Sequence, residues 1–133
     1  MTWKAVWWNS SPQSVASTDG MASAPALDVA RGLASCADNP DIHREVVGIL
    51  AGDIETRVAT IQHALTQGDL AVCAGFAHKN KGACLTVGAI ALAELFTAID
   101  HACRRGDAAT ASASASLLPD AAAAFRSAVA NLK

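Results

Sequence analysis

The run NPDIHREVVGILAGDIETRVATIQHALTQGD, residues 39–69, carries a helix signal from end to end. Asn39 can cap the first free N–H groups, Pro40 suits the first helical position, where no N–H is needed, and Asp41 faces the positive end of the dipole. Behind that start, Val47, Leu50, Ile54, Val58, Ile61 and Leu65 recur at steps of three and four, six apolar residues on one side of about five turns. Gly68 stops the helix, and Asp69 is placed to cap the next one. A long helix with one apolar stripe needs partners of the same kind, and the rest of the chain supplies them.

Downstream of Asp69, Leu70, Cys73, Ala77, Asn80, Cys84 and Val87 form a second stripe on a third helix. Gly88 interrupts it. A fourth helix from Ala89 buries Leu92, Leu95, Phe96, Ile99 and Cys103, and closes at Arg104, Arg105 and Gly106, where cations suit the dipole. Gly106-Asp107 repeats the Gly68-Asp69 device. The fifth helix carries little information from Ala108 to Ser116 and is clear again at Leu118, Ala121, Phe125, Val129 and Leu132, with Pro119 expected to kink or restart it. Upstream, Leu27 to Cys36 predicts a short first helix interrupted by Gly32. Short connections force neighbouring helices antiparallel, so the chain is expected to be all-α: an up-down four-helix bundle with an additional short N-terminal helix laid across one end.

Composition agrees. With 133 residues, 52% hydrophobic side chains and only 5% aromatics, the chain has material for one core of closely packed helices. A formal net charge of −2, with ten Lys and Arg scattered along the chain, argues against nucleic-acid binding, which needs clustered cations. No run approaches the roughly 18 apolar residues of a membrane span. Cys36, Cys73, Cys84 and Cys103 show no C-x-x-C spacing, and each reads as a small buried hydrophobe, which makes a reducing, cytoplasmic setting the simplest expectation. Residues 1–25 differ: Trp3, Trp7 and Trp8 precede a Ser-, Ala- and Pro-rich stretch without a signal-peptide core. They read as a flexible N-terminal extension or leader, or as a short membrane-surface or partner-docking element; Met21 offers an alternative start. The bundle is assigned to residues 26–133.

Within the third helix, one histidine stands apart. The helical neighbours of His78 are Ala74, Gly75, Lys81 and Gly82, and three of these four are Gly or Ala. A large partner surface can therefore approach the imidazole without meeting bulk, while Lys81 adds a cation that no Asp or Glu between Asp69 and Glu94 offsets. An anion is the expected guest. His78 lies one residue off the buried stripe and should be at least partly exposed. Asn80, within the stripe, must find hydrogen-bond partners or cost on the order of 1–3 kcal/mol.

The pattern Ala77-His78-x-x-Lys81-Gly82 followed by Gly88-Ala89 resembles the signature of histidine-containing phosphotransfer (HPt) domains of two-component phosphorelays. The family usually has a large aliphatic residue where this chain has Asn80. The resemblance covers residues 27–132 and implies a four-helix bundle in which His78 accepts a phosphoryl group from a receiver-domain aspartate and passes it to another receiver. Lys81 would compensate phosphate charge, and Gly82, with Ala74, Gly75, Lys79 and Leu85, would meet the partner. The implied partners are receiver domains of response regulators or a hybrid histidine kinase.

The residues support the same chemistry on their own terms. An imidazole with an ordinary pKa near 6.5 has a neutral ring nitrogen at pH 7, whereas a serine would need a base. No acidic cluster near His78 and no Gly-rich nucleotide loop is present, so the expectation is a phosphocarrier without autonomous kinase activity and without a cofactor, the Mg2+ belonging to the receiver. A monomer is expected, because the apolar stripes are all needed inside one bundle. Two other classes compete. One is a docking or regulatory bundle that binds a receiver or kinase without being phosphorylated. The other is a metal or ligand site built from Cys73, Cys84, Cys103 and a histidine, which helical geometry disfavours: Cys73 and Cys84 lie roughly 16 Å apart along the helix, and Cys73 and His78 point about 140° apart. His43, His63 and His101 are expected at the surface or rim.

Overall fold

The computed structural model describes residues 24–132. The readings of the Trp-bearing segment therefore lie outside the described residues, except at Ala24 and Pro25. Every regular element is helical: α1 (Val29–Ser35), α2 (Pro40–Thr66), α3 (Leu70–Val87), α4 (Ile90–Arg104), α5 (Ala108–Ala115) and α6 (Leu118–Ala130). Helices α2, α3, α4 and the α5–α6 pair are the four members of an up-down bundle, and α1 packs across the end where α3 turns into α4.

The helix ends are where polar side chains put them. Asn39 Oδ1 accepts from the N–H groups of Asp41 and Ile42 at 3.0 and 3.2 Å, and Asp69 Oδ1 accepts from Val72 N–H at 3.2 Å. Asp28 and Asp107 cap α1 and α5 in the same way. Hydrogen bonds from Thr110, helped by Arg105, hold the Asp107 carboxyl below its ordinary value. The expected fifth helix is two helices. After Ala115 the helix breaks for two residues, Ser116 and Leu117, and Pro119, which lacks an N–H and would clash with the preceding turn, stands in the first turn of α6.

The predicted stripes meet at the centre. Val47, Ile54, Ile61, Cys73, Cys84, Val87, Leu92, Phe96, Ile99, Leu118 and Phe125 are fully or almost fully buried in one contiguous core. Leu65, Leu70 and Leu95 lie at its edge, with Ala64 buried in place of Leu65. All four cysteines are buried free thiols. Burial pushes the Cys84 thiol up to about 12, the nearby Arg57 cation offsetting part of the effect.

The turn between α3 and α4 is tight because residue 88 is glycine. Gly88 sits at φ 90°, in the left-handed region, and a Cβ there would meet the Asp28 carbonyl at 2.1 Å. The close approach is productive: Asp28 N–H donates to the Gly88 carbonyl at 2.7 Å and anchors α1. Just before α1, the Pro25 carbonyl accepts from Ala91 N–H.

One histidine departs from expectation. His43 is not a surface residue: it is 2% exposed, and its Nε2 donates to the Val87 carbonyl at 3.0 Å. Helix α1 covers it, with Gly32 packed so closely that a Cβ would meet His43 Nε2 at 2.3 Å. His43 stands one turn before Val47 and extends the α2 stripe by one position, and its ring satisfies a carbonyl that the end of α3 leaves open. His63 and His101 are exposed, as expected.

Candidate functional site

His78 projects from the middle of α3 with its side chain 62% exposed. Two helices make the site. On α3, Lys81 lies one turn on from His78, partly exposed, while Gly75, Lys79 and Gly82 are exposed on the same outward face. A Cβ at Gly75 or Gly82 would touch nothing within 4 Å, so the ground beside the imidazole is open for a partner. Ala74 is buried and Leu85 partly buried; they form the floor between α3 and α4. Val72 and Phe76, both exposed, occupy the far edge of the outward face.

The second helix supplies what sequence proximity did not reveal. Asp100 on α4 is 4% exposed, and its Oδ2 lies 3.4 Å from His78 Nδ1. Its other oxygen, Oδ1, accepts from Arg104 Nε at 2.5 Å. The carboxylate thus stands between an arginine that balances its charge and an imidazole that it can orient. At 3.4 Å the contact to His78 is long for a hydrogen bond. The consequence is chemical. In the tautomer that carries its proton on Nδ1, towards the buried carboxylate, Nε2 is the ring nitrogen with a free lone pair.

Asp100 did not stand out in the sequence, and Arg104 did so only as a cation closing its helix. The available signal was a carboxylate one position off the apolar stripe Phe96–Ile99–Cys103, with an arginine four residues later on the same face. The preceding helix decides which partner that carboxylate meets, and helix pairing is set by packing across the bundle.

Asn80 has the partner it required. Buried within the α3 stripe, its Oδ1 accepts from Arg57 Nη1 on α2 at 2.6 Å. Arg57 also reaches towards Asp53 at 4.0 Å, while its Nε is buried without a hydrogen-bond partner among the described residues. A cross-helix polar pair thus fills the place where the family usually has an aliphatic residue.

Among the described residues no group of three or more His, Cys, Asp or Glu side chains is arranged to hold a metal ion, and no helix is long and apolar enough to cross a membrane. Asp100 is the carboxylate in ion-pair reach of His78.

The family model of the Hpt domain matches residues 45–131, about two thirds of the chain, and the protein belongs to this family. Its class is that of the phosphocarriers of two-component signalling, helical bundles that work with receiver domains and are not themselves kinases. Comparison with curated proteins and with solved structures gave no match.

Proposed function

We propose that His78 carries the phosphoryl group in a phosphorelay: Nε2 accepts it from a receiver-domain aspartyl phosphate and returns it to the aspartate of a second receiver. The observation that carries this reading is the placement of His78 Nδ1 against the buried, Arg104-balanced Asp100, with the opposite ring edge open to solvent. A nucleophile for in-line transfer needs an available lone pair, a fixed direction and room for the donor, and this arrangement supplies all three.

In the forward step the Nε2 lone pair attacks phosphorus, the bond from phosphorus to the aspartyl oxygen breaks, and the receiver carboxylate leaves. No proton need be removed from Nε2, because the ring proton sits on Nδ1. Asp100 stabilises that Nδ1–H as positive charge develops on the ring. Lys81, one turn away, offsets the charge of the transferred phosphoryl group, and exposed Lys79 adds to the local positive field that draws an acidic receiver surface. Gly75 and Gly82 leave space for the receiver, and Leu85 borders the same contact. The receiver brings the Mg2+ and its carboxylates, so the chain works as a carrier without a cofactor of its own.

The test is transfer from a phosphorylated receiver to the wild-type chain and to His78→Gln. Label on the wild type alone, labile in acid and stable in base, is the expected result. Receivers that bind both proteins and label neither would instead make the bundle a docking protein. The proposed setting is the cytoplasm, and the proposed state of the chain is a monomer.

A further inference from the structure

Cys73 on α3 and Cys103 on α4 are neighbours across the seam between the two helices that carry His78 and Asp100: Cys103 lies against Leu70, Ala71 and Ala74, the residues that flank Cys73, and its thiol acts on that of Cys73. Cys73 is fully enclosed, and Cys103 is 5% exposed. The difference matters because Cys103, with Leu70, Ala71, Ala74 and Arg104, lines an open surface cavity of about 390 Å3. A small solute can therefore reach the Cys103 side of the pair without the bundle coming apart.

We propose that Cys73 and Cys103 form a redox modification site, in which a peroxide-class oxidant entering by this cavity converts the two thiols to a disulfide that straps α3 to α4. In the first step the Cys103 sulfur attacks one peroxide oxygen; the O–O bond breaks, water leaves, and Cys103 becomes a sulfenic acid. In the second, the Cys73 sulfur attacks the Cys103 sulfur; the S–S bond forms, the S–O bond breaks, and the departing hydroxide takes up the Cys73 proton as a second water. The two thiols lose two electrons and the peroxide gains them. A small thiol reductant reverses the change.

The order of the steps follows from the surroundings. Burial, and after it the neighbouring Cys103, push the Cys73 thiol up to about 12. Such a thiol is a poor first nucleophile, and its enclosed position also keeps it from the oxidant. Once Cys103 has reacted, Cys73 already stands beside the sulfur it must attack. Cys84 makes the comparison: it is equally buried and its thiol is also pushed up to about 12, yet no cysteine contributes to its environment.

The strap would sit close to the phosphotransfer pair. Cys73 lies five residues before His78 and Cys103 three after Asp100, about 7.5 and 4.5 Å along the two helix axes. A disulfide requires Cβ atoms about 3.8 Å apart, so closing it fixes the α3–α4 spacing at the end of the hairpin opposite Gly88.

The experiment treats the folded full chain with hydrogen peroxide, blocks remaining thiols under denaturing conditions, and reads intact mass and peptide maps. The expected product carries two blocking groups instead of four and has lost a further two hydrogens, about 2 Da, with a peptide joining Cys73 to Cys103 and full recovery after dithiothreitol. Cys103→Ser and Cys73→Ala, each checked for helix content by circular dichroism, should fail to form it, whereas Cys84→Ser should oxidise like the wild type. A disulfide through Cys36 or Cys84, a Cys103 sulfinic acid beside an unmodified Cys73, or four unreacted thiols would each overturn the proposal. His78→Gln should form the same disulfide, so this result and that of the phosphotransfer test are independent.

Discussion

At the scale of single residues, the proposed role of His78 turns on Asp100, whose carboxylate lies 3.4 Å from His78 Nδ1. Asp100→Asn keeps the size of the side chain but removes the charge that fixes the Nδ1–H tautomer. Phosphorylation of His78 should slow by about 10- to 100-fold, the range seen when the partner that orients a functional histidine is removed, with helix content unchanged. Rapid-quench measurement of label uptake reads this directly. Wild-type rates in the variant would reduce Asp100 to a structural ion-pair partner of Arg104.

Asn80 and Arg57 make a second residue-scale case. Asn80→Leu restores the aliphatic residue usual in the family but leaves the Arg57 Nη1 donor without its acceptor, a loss of about 1–3 kcal/mol in urea unfolding. Adding Arg57→Met should recover most of it, because the two groups interact as a pair and their effects are not additive. Additive losses in the double variant would show that the 2.6 Å contact contributes little.

Glu94 carries a pH signature. Its carboxylate reaches solvent but loses part of its hydration to the bundle, which raises its pKa in the folded state above the ordinary carboxylate value. A raised acid is penalised when charged, so the folded state is weaker above the folded pKa and recovers as pH falls through it. Glu94→Gln should therefore raise the melting temperature at pH 7 and leave it unchanged near pH 3. Equal gains at both values would mean that the charge is not responsible.

At the scale of elements, the boundaries of α2, α3 and α4 were legible because each rests on a local device: Asn39 with Pro40, Gly68 with Asp69, and Gly88. Removing one should act locally. Asp69→Ala should lower stability by about 1 kcal/mol, the usual value of an N-cap. Gly88→Ala should be worse than Gly68→Ala in thermal unfolding, although both glycines have positive φ, because a Cβ at Gly88 meets the Asp28 carbonyl while one at Gly68 meets nothing. The burial of His43 was not legible, since it depends on α1 crossing the end of α2, and the sequence offers α1 only as a short helix interrupted by Gly32. That glycine is the reason the crossing is possible, for any side chain there would collide with the His43 ring and the Val87 carbonyl.

At the scale of the molecule, the bundle could be read from periodicity, because four stripes with short connections have few ways to meet. The histidine, its glycines and Lys81 could be read as well, since they share one helix and local spacing fixes their neighbours. The Asp100–Arg104 half of the site could not. It comes from the next helix, 22 residues from His78, and helix rotation within the bundle decides whether Asp100 or the adjacent His101 faces the imidazole. For the same reason the Cys73–Cys103 contact is visible only once α3 and α4 are paired, while each cysteine alone reads as a small core residue.

The most direct measurement is phosphorus–nitrogen correlated NMR on the phosphorylated, 15N-labelled chain, which identifies both the modified residue and the ring nitrogen that holds the phosphoryl group. The account predicts a single phosphohistidine at His78, bonded through Nε2, with the Nδ1 proton retained on the side of Asp100. Phosphorylation at another residue, or a bond through His78 Nδ1, would contradict it.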